Sequence, residues 1–387
     1  MRFSERTPRD MTRNRIAEAS TEAGRHGVVD LTESNPTRCG FAYPEPLIRR
    51  ALGGAAALRY DPDPRGSLEA RRAVSEHLRR EGREVPAERL FLTASTSEAY
   101  SFLFKLLADP GDSILAPTPG YPLIDHLAAL EGVRKLPYPL RKAPGWPVDR
   151  DALAAAAEED TRAVVVIHPQ NPTGTFLKPA EWGFLGRFCA DRGLALVSDE
   201  VFSGYAYPGS EPLRAAPIPS SLLSFRMGGL SKSMGLPQLK LSWVSVDGPP
   251  AALDECLARL DLIADTYLSV NTPVQAALPA LLNEAEGMRR QILERVLGNR
   301  GRLEAALGPL GDRARLWPAE GGWYALLELP RPAAAEEGIV LDLIARRRVL
   351  VQPGLFYDFS DACLLVLSLL PRPDVFAEGL SRLLPAL

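Results

Sequence analysis

Lysine is scarce in this chain. Of 45 basic residues in a total of 387, only Lys105, Lys135, Lys142, Lys178, Lys232 and Lys240 are lysines. Charge of one sign is also missing: 48 acidic residues balance the basic ones, leaving a net charge of -3. Such a balance carries no signature of a nucleic-acid or membrane-surface partner. Cys39, Cys189, Cys256 and Cys363 are too far apart for a metal knuckle or for the disulfide framework of a small secreted domain. No metal is therefore expected, and a reducing, cytoplasmic compartment fits. No run is long and apolar enough to span a membrane, and the start Met1-Arg2-Phe3-Ser4-Glu5-Arg6 lacks the apolar stretch of a signal peptide. There is no internal repeat. Histidine is equally sparse: His26, His77 and His126 read as ordinary surface or core residues, and His168 only precedes a turn.

Against that scarcity, one lysine stands between two serines and close to glycines, in Gly229-Leu230-Ser231-Lys232-Ser233-Met234-Gly235, with Lys240 following. Alone, such a stretch reads as a solvated turn. It also suits covalent catalysis, because an amine forms a Schiff base and small neighbours let a cofactor approach the backbone. The serine hydroxyls and a second cation can then hold a phosphate.

Three further segments have the same character. Val164-Val165-Val166-Ile167 ends in His168-Pro169-Gln170-Asn171-Pro172-Thr173-Gly174, which puts Asn171 at the carboxyl end of a strand. Leu194-Ala195-Leu196-Val197-Ser198 delivers Asp199 in the same way, where open α/β sheets bind ligands. Leu90-Phe91-Leu92-Thr93 runs into a helix capped by Ser95 with Glu98 as its reciprocal partner, leaving backbone N–H groups that attract phosphate.

At 387 residues the chain suits a large domain with a smaller partner. Helical patterns alternate with short β runs, including Ser113–Ala116 and Leu241–Val246, from about Arg50 to Leu281. This predicts an α/β fold with a mostly parallel sheet and helices on both faces over residues 46–282. A helix from about Asn283 to Leu297 bridges to a smaller α+β domain, made of residues 1–45 and 283–387 and containing strands at Trp323–Leu329 and Leu364–Leu370. Tyr207–Pro212 reads as a loop, and Arg346-Arg347-Arg348 as the solvated end of a helix.

Taken in order, these segments resemble the fold-type I pyridoxal-phosphate enzymes, specifically the class I and II aminotransferases, over nearly the whole chain. The resemblance implies pyridoxal 5'-phosphate as cofactor, with Lys232 as the Schiff-base lysine and Asp199 as the partner of the pyridine nitrogen. It implies that Tyr121 stacks on the ring and that Asn171 contacts the ring's 3-oxygen beside the substrate. Ser95, Thr96, Ser231 and Lys240 then surround the phosphate, and Tyr60 reaches the phosphate of a neighbouring subunit, so a homodimer is expected.

Three positions depart from the family pattern. Lys240 and Phe202 stand where an arginine and a tyrosine are usual, and Tyr205 is one residue that could replace the lost hydroxyl. Val366 stands where the substrate-carboxylate arginine is usual. Arg38 is the first choice for the missing clamp, with Arg372 and Arg226 behind it. The expected reaction moves an amino group from a small-molecule amino acid to a 2-oxo acid. The alternatives are a lyase or decarboxylase using the same lysine and cofactor, and, from another class, a non-catalytic cofactor-binding regulator, for which the chain lacks an evident DNA-binding segment.

Overall fold

The computed structural model describes residues 3–24, 27–215 and 217–387, so His26 and the first two residues of the polar start lie outside the described residues. Seven strands form one sheet in the order Leu90–Thr93, Ser242–Asp247, Ser224–Gly229, Ala195–Asp199, Thr161–Ile167, Ser113–Thr118 and Arg134–Pro139. All are parallel except Ser242–Asp247, which pairs antiparallel on both sides. Continuous β-branched runs such as Val164-Val165-Val166-Ile167 suit strands buried on both faces.

Alternate residues feed opposite cores. Val164, Val166 and Leu196 pack with Trp182 and Leu185 of the helix Pro179–Arg192. Val165, Ile167 and Val197 pack with Ala99 and Leu103 of the helix Thr96–Leu107, and with Leu260 and Ala264 of the helix Pro250–Tyr267. The sheet is thus closed to water on both sides, and its accessible edge for chemistry is the line of carboxyl ends.

A second, antiparallel sheet has the order Gln352–Pro353, Cys363–Ser368, Tyr324–Leu329 and Arg315–Leu316. The N-terminal segment joins it. Val29–Asp30 pairs in parallel with Val349–Leu350, and the Ser368 N–H donates to the Leu31 carbonyl at 2.7 Å. This strand ends at Ser368, two residues earlier than the apolar run suggests.

The bridging helix spans Ala285–Leu307, ten residues beyond its expected end. Gly298 and Gly301 disfavour that continuation by about 1 kcal/mol each. Burial of Leu303 and Leu307 in the core of the second sheet, at roughly 1.5–3 kcal/mol per leucine, outweighs them. Arg346 and Arg347 do end a helical segment, and Arg348 turns the chain with a φ of 54° into the strand Val349–Leu350.

The turn carrying Asn171 is pinned between the two sheets. Gly174 has a φ of 69°, and a Cβ there would come 2.4 Å from the Gly321 carbonyl oxygen. The Glu320 N–H donates to the Gly174 carbonyl at 2.8 Å. Gly174→Ala should therefore destabilise the protein by about 2–4 kcal/mol, read from its urea midpoint; an unchanged midpoint would show that this junction yields freely.

Candidate active site

Parallel strands bring residues far apart in sequence to one edge. Asp199 ends its own strand, Asn171 lies in the turn after Thr161–Ile167, and Tyr121 follows Ser113–Thr118. Lys232 lies three residues past Ser224–Gly229. Because Ser242–Asp247 runs the other way, its start lies at the same edge and brings Lys240 with it. Ser95 caps the helix Thr96–Leu107, its Oγ accepting from the Glu98 N–H at 3.2 Å. Glu98 returns a bond to the Ala94 N–H, at 2.6 Å, one residue earlier than a simple capping box would place it. Ser95, Thr96, Tyr121, Asn171, Asp199, Ser231, Lys232 and Lys240 together line a cavity of about 410 Å³.

Asp199 and Lys232 perturb one another at its closed end. Burial pushes Asp199 up to about 6, against the pull of the Val201 N–H, the Tyr100 hydroxyl and the Lys232 amine. The Tyr100 hydroxyl donates to Asp199 Oδ2 at 3.2 Å. Burial likewise brings the Lys232 amine down to about 8, with Asp199 opposing the fall. Lys232 Nζ lies 5.0 Å from the centroid of Phe202 and 4.9 Å from that of Trp323, so two aromatic faces flank the cation. At neutral pH the pair is a carboxylate and an ammonium, the latter close to giving up its proton.

Glu200 points to the opposite face. Burial alone would raise it, but Arg83 at 2.9 Å and Arg226 at 3.1 Å hold it below the usual carboxylate range. They border a separate polar cleft of about 440 Å³ behind the sheet. Arg226 is thereby removed from the substrate side.

Residues 48–364 match the family described as "Aminotransferase class I and II". The chain belongs to that family. An alanine aminotransferase of Mycobacterium tuberculosis is 27% identical to it, over 94% of this chain and 86% of the relative. A glutamate-pyruvate aminotransferase of Escherichia coli is 24% identical, over 92% and 89%. The solved alanine aminotransferase of Pyrococcus furiosus superposes with a TM-score of 0.87 at 24% identity, covering 98% of both chains. The enzyme is accordingly a transaminase that moves an amino group from an amino acid to a 2-oxo acid.

The residues present fit the family's cofactor. Asn171 is buried, and its side-chain oxygen has no partner among the described residues. A buried polar atom costs about 1–3 kcal/mol when left unpaired, so the site calls for a polar guest at that point. A buried acid, a half-buried amine and a capped helix start surround the same space.

Other expected residues are not brought in. Tyr60 is 78% exposed and lies outside this cavity. The Arg38 side chain is 73% exposed, faces Glu33 at 3.4 Å and does not line the cavity either. Arg372 is paired with Asp374 on the surface. The Tyr205 hydroxyl is occupied by the Lys232 carbonyl, leaving Phe202 without that substitute. Val366 is 1% exposed and closed into apolar packing. His168 is a brace: Nδ1 accepts from the Leu177 N–H at 3.2 Å, Nε2 bonds the Leu213 carbonyl at 2.9 Å, and burial lowers its pKa to about 4.

Sequence reasoning missed Tyr100, Ser34, Tyr324, Gln352 and Tyr357. Only Gln352 carried a local signal, as the polar residue inside Val349-Leu350-Val351-Gln352-Pro353.

An aspartate whose folded pKa lies above its unfolded value favours folding only while protonated, and the penalty grows as pH rises from about 4 to about 6. In cofactor-free protein, Asp199→Asn should be more stable than wild type, with an advantage that widens by about 1 kcal/mol between about pH 5 and pH 8. A pH-independent difference in unfolding midpoints would refute the buried, ionised Asp199.

Proposed function

We propose that this transaminase binds pyridoxal 5'-phosphate at Lys232 and works on small amino acids with uncharged side chains, alanine and pyruvate being the pair to test first. The observation that carries the proposal is buried Asp199 and half-buried Lys232 sharing one cavity with the Ser95 cap. Among the described residues lining that cavity, the cations are Lys232 and Lys240, so a side-chain carboxylate finds no arginine there. The names of the mycobacterial and Escherichia coli relatives supply the choice of alanine and pyruvate.

The cofactor, when bound, supplies the electron sink for the carbanion left at the substrate Cα. Lys232 Nζ would hold it covalently and would serve as the base that takes the Cα proton and returns it. An amine with a pKa near 8 suits that exchange at physiological pH. Asp199, held by the Tyr100 hydroxyl, would keep a proton on the pyridine nitrogen. Tyr121 would cover the ring, and Asn171 would contact the 3-oxygen beside the substrate. Ser95, Thr96, Ser231 and Lys240 would hold the phosphate. Lys240 supplies charge without a bidentate fork.

Tyr60 completes the phosphate site of a second copy, which makes the working state a homodimer; its exposure in the single chain is what such a role requires. Four free, buried cysteines support a cytoplasmic location.

Loaded wild-type enzyme given alanine and no oxo acid should release about one pyruvate per active site, as a half-reaction demands. Lys232→Ala should release none, and pyruvate from that variant would remove Lys232 from its role. Tyr60→Phe should loosen cofactor retention in the dimer; a monomer that keeps the cofactor fully would exclude the cross-subunit contact.

A further inference from the structure

The cavity has two unlike walls. Charged groups gather at the sheet edge, whereas the wall from the second sheet presents Ser34, Tyr324, Gln352 and Tyr357, all neutral. Gln352 stands directly opposite Val366 in the antiparallel pair Gln352–Pro353 and Cys363–Ser368. Opposed residues of such a pair share a face, so the carboxamide rises beside a valine that is itself sealed into apolar packing.

Its orientation is held. The Tyr357 hydroxyl donates to Gln352 Oε1, and the Tyr357 carbonyl accepts from the Gly120 N–H at 3.0 Å, next to Tyr121. With its oxygen engaged, the amide offers its two N–H donors to the cavity. The Tyr324 and Ser34 hydroxyls line the same wall of the cavity. Each hydroxyl has one hydrogen to donate.

We propose that this neutral set receives the substrate's α-carboxylate, one oxygen on Gln352 Nε2 and the other on the Tyr324 and Ser34 hydroxyls, with Gln352 setting the affinity. The inference rests on the transaminase reading above and deepens it. A carboxylate held by neutral donors gains charge-assisted hydrogen bonds but no ion pair. Binding should therefore be modest and nearly independent of salt. Arg38, turned to solvent beside Glu33, takes no part.

The test uses the loaded enzyme and propionate, a carboxylate with no amino group, measured by calorimetry, alongside kcat and KM for alanine. Gln352→Leu should weaken propionate and raise the alanine KM by about tenfold, with kcat changed by less than about threefold. Gln352→Arg should tighten propionate by about tenfold and make its affinity fall with salt, as an ion pair does. Tyr357→Phe, which keeps the glutamine but frees it, should give a smaller loss of the same kind and serves if Gln352→Leu does not fold. Propionate affinity unchanged in Gln352→Leu and Tyr357→Phe, or lost in Arg38→Ala, would overturn the assignment. Because propionate binding needs no turnover, these results stand apart from whether alanine yields pyruvate, which tests the transaminase reading itself.

Discussion

Desolvation of Asp199 and Lys232 in one closed pocket is the constraint on which the active site depends. Isolated buried charges cost several kcal/mol each, and here the cost is offset only in part, by a tyrosine hydroxyl, a backbone N–H, two aromatic faces and mutual attraction. What keeps the pair in place is the sheet. Val165, Ile167 and Val197 on one face and Val166 and Leu196 on the other exclude the water that would relax both groups toward their ordinary pKa values. Glu200 shows the contrast. One residue past the strand's end, facing the other way and flanked by two guanidiniums, a carboxylate of equal burial is held below the usual range. Opposite directions of adjacent side chains thus separate an ion cluster behind the sheet from a desolvated carboxylate in the cavity.

The second sheet converts that poised pair into an enclosed site. Its approach segment meets the Asn171 turn at Gly174 and Gly321, and Lys178 is paired with Glu320 across the same junction. His168, neutral and bonded on both ring nitrogens, stiffens the start of the turn. These contacts fix how far the wall carrying Tyr324, Gln352 and Tyr357 stands from the lysine. They also determine its character. A wall of amide and phenol groups carries no formal charge to desolvate, and the Tyr357 hydroxyl already engages Gln352 Oε1 before substrate arrives. An unpaired arginine there would carry a desolvation penalty of its own whenever the site stood empty of anions.

Much of this was legible in the sequence, and the reasons are local. Apolar β runs of four to seven residues, turn formers at their ends and a serine cap report their roles within a short window, so the carboxyl-end location of Asn171 and Asp199 could be read directly. Lysine scarcity singled out Lys232. Where expectations slipped, a competing interaction explains it: the bridging helix ran past Gly298 and Gly301 because leucines beyond them found a core, and the last strand stopped at Ser368 because its backbone turned to Leu31.

The sequence by itself determined several of the strands, that Asn171 and Asp199 lie at their carboxyl ends, and that arginine is absent at position 366. Only the tertiary structure decided what stands in that place. Gln352 meets Val366 through strand register, Tyr100 reaches Asp199 across 99 positions, and Arg38 turns outward to Glu33. The physical reason is that turn chemistry and burial period are set by neighbours in the chain. Which side chains share a cavity depends instead on the order and register of strands joined by long connections, a property that no short window contains.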